Sequence, residues 1–347
     1  MHIFITGGAG FIGSNLAAHH LAKGHRVTIF DNLSRPRTQH NLDWLRNEAA
    51  KPDNAALVFS NGDIRSYDQL QAALSAAQPD FVAHLASQVA VTTSVKNPRE
   101  DFEINALGTF NMLEAARAQA RPPALLYSST NKVYGGMEDV VVVADESGTR
   151  YRYRDFPNGI DETRPLDFHS PYGCSKGSGD QYVRDYARIY GLRTFVIRQS
   201  CIYGERQFGV EDQGWVAHFI IAAANGRPLS IYGDGKQVRD MLHVKDLIAL
   251  YDAAYHKLDV ASGEVFNGGG GIDNTLSIWA EFGPYLTELA GHPIPITHGD
   301  WRPGDQPVFV SDNGKAGRML GWKPKIAVRD GIRQLWHWVT SNPSLFV

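Results

Sequence analysis

Tyr172 and Lys176 stand four residues apart at the start of a segment, Pro171 to Tyr190, whose pattern predicts a helix, so both side chains lie on one face a turn apart. An ammonium beside a phenol favours the phenolate and draws a tyrosine pKa down from about 10 toward working pH. A tyrosine so poised is a general base toward an alcohol. By itself the Tyr-x-x-x-Lys spacing also fits an ordinary surface pair. Cys174, between them, has no base partner in sight and reads as a small packing residue.

A base of this kind needs a reactant held beside it, and the first fifteen residues offer the means. His2-Ile3-Phe4-Ile5-Thr6 predicts a short strand that stops at Gly7-Gly8-Ala9-Gly10-Phe11-Ile12-Gly13, after which Ser14 to Lys23 follows a helical pattern. Gly7, Gly10 and Gly13 lack a Cβ, so the turn can be tight, the backbone can approach a pyrophosphate, and the helix can pack close to the strand. The helix N-terminus adds N–H groups and partial positive charge. Arg26 to Phe30 predicts a second strand, and it ends in Asp31 about twenty residues after the loop, where a dinucleotide's adenosine ribose would lie. A carboxylate there accepts from the ribose hydroxyls and repels a 2′-phosphate, which selects NAD over NADP, with Arg35 and Arg37 nearby as the opposing signal. The nicotinamide cation of NAD would further favour the phenolate form of Tyr172.

The elements that must carry these groups alternate. Ala56-Leu57-Val58-Phe59 predicts the third strand, and it ends at Asn61-Gly62-Asp63-Ile64-Arg65, where Asp63 either contacts the adenine or is a plain turn acid. Ser66 caps a helix from Tyr67 to Ala77, Asp80 to Ala86 predicts the fourth strand, and its end, Ala86-Ser87-Gln88-Val89, should pass the cofactor. A helix from Pro98 to Gln119 and a fifth strand, Ala124 to Thr130, follow, the strand closing on a polar Ser-Ser-Thr. Thr194 to Arg198 predicts the sixth strand, and Asp240 to Tyr255 looks helical. Strands alternating with helices imply a right-handed, parallel, doubly wound sheet with ligands at the strands' C-terminal ends. The expected class is therefore α/β, a Rossmann sheet with a smaller, mixed α/β C-terminal substrate domain. Residues 1–200 would form the first domain with 238–258 packing back on it, and 201–237 with 259–347 the second. Between Gly135 and His169 the periodicity fades, and a structureless stretch that long reads as a substrate-side flap or a disordered insertion.

At 347 residues, 43% hydrophobic and 20% charged, the chain has room for roughly two globular domains. A net charge of −3 without a long basic block argues against nucleic acid or an anionic membrane as a partner. Two cysteines are too few for a disulfide framework or a cysteine zinc site, and no metal is expected. The first strand begins at residue 2 and no apolar run reaches membrane-spanning length, so a cytoplasmic protein is expected.

Taken together, the glycine loop, Asp31, the polar end of the fifth strand and the Tyr172–Lys176 pair resemble the extended short-chain dehydrogenase/reductase family of nucleotide-sugar epimerases, dehydratases and decarboxylases, over nearly the whole chain. In that family a Ser or Thr three residues before the Val of a Val-Tyr-Gly run binds the reacting hydroxyl; the run here is Val133-Tyr134-Gly135, which points to Thr130. The resemblance thus implies Thr130, Tyr172 and Lys176 as the catalytic set. The NAD-binding set is Gly7, Gly10, Phe11, Ile12 and Gly13, then Asp31, Asn32, Ser34 and Arg35, then Asp63 and Ile64, then Leu85, Ala86, Gln88 and Asn105, with Tyr172 and Lys176 themselves. Dehydratases of the family place Asp-Glu directly after the Thr, one acid and one base for water elimination. This chain has Asn131-Lys132, which argues against a dehydratase, although Lys132 could in principle serve as a base.

Longer strings narrow the branch: residues 128–135, 166–177, Tyr203-Gly204-x-Arg206-Gln207-Phe208, Asp212 to Trp215, and Gly235 to Asp240, with Thr149-Arg150-Tyr151 and Pro157-Asn158-Gly159 in the flap. They are similar to family members that epimerise a CDP-linked dideoxyhexose at C2, and imply a CDP-sugar substrate, a role in surface polysaccharide (O-antigen, lipopolysaccharide) synthesis and a homodimer or homotetramer. Thr130, Asn131, Arg206, Gln207, Arg239, Arg302 and Asp305 form the expected substrate set, since guanidinium forks match phosphate oxygens and Asp305 would orient an arginine or a ribose. A structural ion pair is the alternative for each arginine. His84 and His243 resemble family positions but read as packing or bridging residues. The competing functions are epimerisation of another nucleotide sugar, such as a UDP-hexose at C4, a net dehydrogenase or reductase, and a non-catalytic NAD-sensing scaffold, which would have no need of a poised base.

Overall fold

The apolar run at the N-terminus becomes the fully buried strand β1 (His2–Thr6), and from it the first half alternates β and α: α1 (Phe11–Ala22), β2 (Arg26–Asp31), α2 (Thr38–Ala49), β3 (Leu57–Asn61), α3 (Tyr67–Ala77), β4 (Phe81–His84), α4 (Val91–Lys96), α5 (Pro98–Phe102), α6 (Gly108–Arg117) and β5 (Ala124–Thr130). The structure is a computed structural model and describes residues 1–301 and 305–346. A hairpin of β6 (Val142–Ala144) and β7 (Tyr151–Tyr153) comes next, then α7 (Ser170–Tyr190) and β8 (Thr194–Gln199). The remainder is β9 (Cys201–Tyr203), α8 (Trp215–Ala224), β10 (Leu229–Tyr232), β11 (Val238–His243), α9 (Val244–His256), α10 (Leu258–Ala261), β12 (Val265–Gly268), β13 (Thr275–Ser277), α11 (Phe282–Ala290), β14 (Ile296–Gly299), β15 (Val308–Phe309), α12 (Gly314–Leu320) and α13 (Val328–Ser341).

Two compact units result: Met1–Val133 with Ser170–Arg198 and Tyr251–Phe266, and Tyr134–His169 with Gln199–Leu250 and Asn267–Val347. Among the described residues of the sheet, seven strands run in the order β12-β8-β5-β4-β1-β2-β3, and the order reverses between β1 and β4. β1 pairs in parallel with both β2 and β4, so the glycine turn after β1 and the chain after β4 leave the sheet side by side at a topological switch point. This is the expected Rossmann sheet. Its core joins Phe4, Phe30, Leu70, Val82, Leu125 and Val196. The second unit centres on β11, flanked in parallel by β9 and β15 and antiparallel by β13, over a core that includes Phe219, Ile220, Phe282, Leu335 and Trp338.

Several local expectations change. Asp240 to His243 is strand, and the helix begins at Val244. All six residues of β11 are buried, and pairing on both sides outweighs the helical look of the segment. The strand Val265–Gly268 at the sheet edge and the short helix α4 are additional to the expected elements. The expected helix Pro98–Gln119 ends at Arg117 and contains a π-turn at Glu103–Leu107, one residue wider than α geometry. The 136–169 segment carries regular structure, with Tyr151 opposite Ala144 and Tyr153 opposite Val142. Arg150 bonds Glu281 at 2.6 and 2.9 Å, Tyr153 donates to the Val308 carbonyl at 2.9 Å, and Ile160 N–H donates to Val310 at 2.8 Å, which ties the segment to the second unit along its length.

Candidate active site

Helix α7 delivers Tyr172 and Lys176, and its first turn is held from two sides. The Ser170 hydroxyl accepts the Gly173 N–H at 3.2 Å, and the buried Ser94 hydroxyl, reaching across from α4, accepts the Tyr172 N–H at 3.2 Å. Ser94 therefore caps a helix to which it does not belong, satisfying a donor that the helix itself cannot pair. Thr130, at the end of β5, stands close enough to the Tyr172 phenol for its hydroxyl to lower the phenol's pKa, and the three residues Thr130, Tyr172 and Lys176 are 7, 8 and 4% exposed. The Lys176 ammonium donates to the Ser128 carbonyl at 2.5 Å and stands 4.3 Å over the Tyr127 ring, a cation–π contact in a desolvated place. One turn on, Asp180 takes a bidentate pair from Arg198 on β8, both bonds 2.9 Å, and the Ser129 hydroxyl at 2.8 Å. That ion pair fixes α7 against β5 and β8.

Burial sets the titration of the pair. It pushes Tyr172 up to about 12, opposed by the hydrogen bond from Thr130 and reinforced by the negative charge of Asp101. It pushes Lys176 down to about 7, against the attraction of Asp180 and Asp101. In the protein alone desolvation thus outweighs the expected pull of the ammonium on the phenol. A cationic ring beside Tyr172 would restore the phenolate, since it rewards the charged form.

The first unit also fits a dinucleotide. Gly7 has φ +67°, and a Cβ there would meet the Ala86 backbone at 2.8 Å; a Cβ on Gly13 would fall 2.2 Å from the Gly7 carbonyl. Those two glycines are demanded by packing. Gly10 is less constrained: its φ is −71°, and a Cβ would meet only the Gly7 carbonyl, at a tight 3.1 Å that a shift of a few tenths of an ångström would relieve. No side chain caps α1 and its first turn holds no acid, which leaves the N–H groups around Phe11, Ile12 and Gly13 for an anion. Asp31 accepts from Ala9 N–H at 3.0 Å and Leu33 N–H at 2.8 Å, so the carboxylate is fixed at the end of β2; burial raises its pKa and the two backbone donors counter that. Ser34 and Arg35 are exposed in the loop that follows, where the Ser34 N–H is tied to Asn32 Oδ1 at 3.1 Å. Asp63 is held by Arg65 at 2.7 Å and Asn32 at 3.0 Å, and the Arg65 hydrogen bond lowers its pKa. Ile64 is buried beside Gly108, where a Cβ would come within 2.7 Å of it.

The chain after β4 is aligned by a relay of side chains. The Thr6 hydroxyl accepts the N–H groups of Leu85 and Ala86 at 3.1 and 3.2 Å and meets His84 Nδ1 at 2.8 Å. The Thr109 hydroxyl, 3.1 Å from His84 Nε2, donates to the Asn105 carbonyl at 2.7 Å. The Thr109 proton being committed, His84 donates from Nε2 and accepts at Nδ1; burial pushes its pKa down to about 3, with the Lys176 charge adding to the effect, so the ring is neutral. Asn105, in the π-turn, spends its whole amide inside the protein: Oδ1 accepts from Ser87 Oγ at 2.8 Å and Gln88 N at 3.0 Å, and Nδ2 donates to Gln88 O and to Asp101. Asn105 thereby holds Ser87 and Gln88 in place rather than offering its own amide to a ligand.

Of the expected substrate residues, Asn131 follows Thr130 directly and its Oδ1 lies 3.3 Å from the Thr130 hydroxyl. In the second unit, Arg239 is 7% exposed and its guanidinium is oriented by Asp305 at 2.5 Å and by the Val238 carbonyl at 2.8 Å. Arg206, with φ +68°, lies over the Trp338 ring at 5.6 Å. Gln207 donates to the Ile202 carbonyl at 3.3 Å, while its buried Oε1 has no protein partner. Arg302 lies outside the described residues. His243 is packed edge-on to Tyr203, its pKa pushed down to about 4 by burial, and takes no part in this set. Sequence reasoning missed Ser94, Asp101 and the Asp180–Arg198 pair. Asp180 had a signal, lying four residues after Lys176; Ser94 and Asp101 had none, because their roles depend on α4 and α5 packing on α7.

Residues 4–335 match the family model described as GDP-mannose 4,6 dehydratase. The chain is 45% identical to a CDP-paratose 2-epimerase of Salmonella typhi, over 98% of this chain and 100% of that one. It is 32% identical to dTDP-glucose 4,6-dehydratase 1 of Escherichia coli K12, covering 99% and 93% of the two chains. Among solved structures, the UDP-glucose 4-epimerase of Thermotoga maritima with UDP-glucose superposes with a TM-score of 0.83 at 30% identity over 99% and 100% of the chains. The UDP-glucuronic acid 4-epimerase of Bacillus cereus, in complex with UDP-glucuronic acid and NAD, gives 0.83 at 26% identity over 98% and 99%.

Proposed function

The chain belongs to the GDP-mannose 4,6-dehydratase family, within the extended short-chain dehydrogenases/reductases, and from that premise we propose that it is an NAD-dependent isomerase converting CDP-paratose to CDP-tyvelose by inversion at C2. One observation carries the substrate: whole-length identity of 45% to a CDP-paratose 2-epimerase. The site supports the reaction type, since Thr130, Tyr172 and Lys176 are brought together while the acid–base pair of a dehydratase is replaced by Asn131-Lys132.

In this reading Thr130 holds the C2 hydroxyl and Tyr172 takes its proton, with Lys176 stabilising the phenolate. When bound, NAD supplies the hydride acceptor and donor through which C2 passes by way of a transient 2-keto sugar. Tyr172 then returns the proton to the inverted hydroxyl. The Gly7–Gly13 turn, Asp31 and the Leu85–Gln88 segment hold the dinucleotide; Arg239 with Asp305, Arg206, Gln207 and Arg302 are assigned to the nucleotide diphosphate. No net redox change occurs, so the cofactor stays bound through turnover. We place the enzyme in the cytoplasm, supported by Cys174 and Cys201 forming no disulfide; among the described residues no helix is long and apolar enough to cross a membrane. A role in O-antigen (lipopolysaccharide) synthesis follows from the sugar. A homodimer or homotetramer is supported by exposed apolar side chains on α5 to α7, Phe102, Phe110, Tyr182 and Ile189.

The test is to incubate the purified protein, without added NAD, with CDP-paratose and separately with UDP-glucose, following the sugar C1 and C2 protons by NMR. Conversion of the CDP sugar to its C2 epimer supports the proposal. Turnover of UDP-glucose alone would move the enzyme to the 4-epimerases, a reading favoured by its likeness to the Thermotoga structure and served by the same three catalytic residues.

A further inference from the structure

Asp101 is fully buried, at 0% exposure, in the short helix α5 that packs against α7. One of its oxygens is satisfied: Oδ1 accepts from Gln88 Nε2 at 2.8 Å and from Asn105 Nδ2 at 3.0 Å. The other, Oδ2, is buried with no hydrogen-bond partner. A carboxylate withdrawn from water with an unsatisfied oxygen is costly unless a charge or ligand nearby compensates it. Among the described residues, the buried ammonium within its electrostatic reach is Lys176, and the Tyr172 phenol is within reach as well.

The other charges around this place are already matched. Asp180, which also attracts Lys176, is neutralised by the bidentate Arg198. His84 on β4 is neutral, the Tyr127 phenol on β5 is pushed well above its usual pKa by burial, and Arg99, Glu100 and Glu103 on the α5 side are solvated or half-buried, with Arg99 paired to Glu103. Asp101 is left with no ion-pair partner of its own among the described residues.

We infer that Asp101 is a positioning residue for the proposed base: one oxygen locks Gln88 and Asn105, and the other provides the fixed negative counter-charge that keeps Lys176 an ammonium beside Tyr172. The inference rests on the reading of Tyr172 as the base. Its consequence follows from sign alone. A negative charge near both groups raises both pKa values, holding the proton on Lys176 and opposing its loss from Tyr172. Removing that charge lowers both.

The test is Asp101→Asn, which keeps the volume and the Oδ1 acceptor, exchanges the unpartnered oxygen for an amide NH2 and removes the charge, assayed as the NAD-bound enzyme with the nucleotide sugar that the parent turns over. Both limbs of the kcat pH profile should move to lower pH, on the order of one pH unit, so that the variant gains on the parent on the acid side and loses on the alkaline side, with bound NAD retained. Asp101→Ser, also uncharged, should shift alike and serves if Asn cannot be accommodated. Asp101→Glu, which keeps the charge, should hold both limbs near the parental pH. Parental limbs in the Asn or Ser variant, whatever the amplitude, would overturn the inference, because a merely structural role lowers activity without moving the limbs. Tyrosinate absorbance, read as the difference between each enzyme and its Tyr172→Phe counterpart, gives the same shift without any substrate. An enzyme that turns over no sugar yet shows the shift in absorbance would refute the proposed reaction and leave the counter-charge standing.

Discussion

Tyr172 and Lys176 are held in a dry place that disfavours the charged form of each relative to water, with the phenol pushed up to about 12 and the ammonium down to about 7. Such a pair does work only when a ligand brings compensating charge, which suits a base that should act on a bound alcohol and be idle otherwise. Tyr172→Phe should lower kcat about 10²–10⁴-fold, as loss of a general base does, while the NAD content and melting temperature stay near parental; an unchanged kcat would end the proposed mechanism. His84 makes a prediction about stability. Its folded pKa, about 3, lies below the ordinary 6.5, so in this window the unfolded chain binds the proton first. Stability from this residue is full above the unfolded value and is lost as pH falls toward the folded one, at a slope of up to about 1.4 kcal/mol per pH unit. Urea titrations between those pH values should show His84→Gln less stable than the parent near neutrality and with a shallower acid slope.

At the scale of elements, the glycine turn separates what the fold needs from what a ligand needs. Gly13→Ala would drive a Cβ to 2.2 Å from the Gly7 carbonyl and should destabilise the protein, whereas Gly10→Ala meets only one atom at 3.1 Å and should melt within a few degrees of the parent yet purify with little bound NAD. A Gly10→Ala protein that kept its full cofactor, measured by ultraviolet absorbance after denaturation, would show that no pyrophosphate approaches there. Helix α7 depends on neighbours in the same way. Asp180→Ala strands Arg198, 2% exposed, without its partner and should cost about 3–5 kcal/mol in denaturant. These contrasts also explain what was legible in the sequence. The alternation from β1 to β5, the glycine loop, Asp31 and the Tyr172–Lys176 spacing are local patterns, and local patterns can be read. The strand character of Asp240 to His243 was hidden because β9, β13 and β15, its partners, are distant in sequence, and the π-turn that aims Asn105 leaves no mark on a helical period. Ser94 and Asp101 became meaningful only once α4 and α5 were seen against α7.

At the scale of the molecule, the unit that carries the proposed catalytic and cofactor residues also carries an apolar surface that its own fold leaves uncovered. Phe102 is 57% exposed, Tyr182 50% and Ile189 66%, on the helices that also carry the π-turn and the buried Tyr172–Lys176 pair, and the rings of Phe110 and Tyr182 meet edge to face at 5.8 Å across α6 and α7. Large exposed apolar side chains gathered on α5, α6 and α7 mark an interaction surface, and the occupant proposed is a second copy of this chain. Sedimentation velocity at micromolar concentration should find a dimer or tetramer, and Phe110→Glu combined with Tyr182→Glu, both on that exposed face, should give monomers. Because α7 takes part in both surfaces, monomers should also melt several degrees lower and turn over more slowly, with the pH profile unmoved. A parent that sediments as a monomer at that concentration would leave the apolar face without the partner assigned to it, and the two glutamates would then change neither mass nor rate.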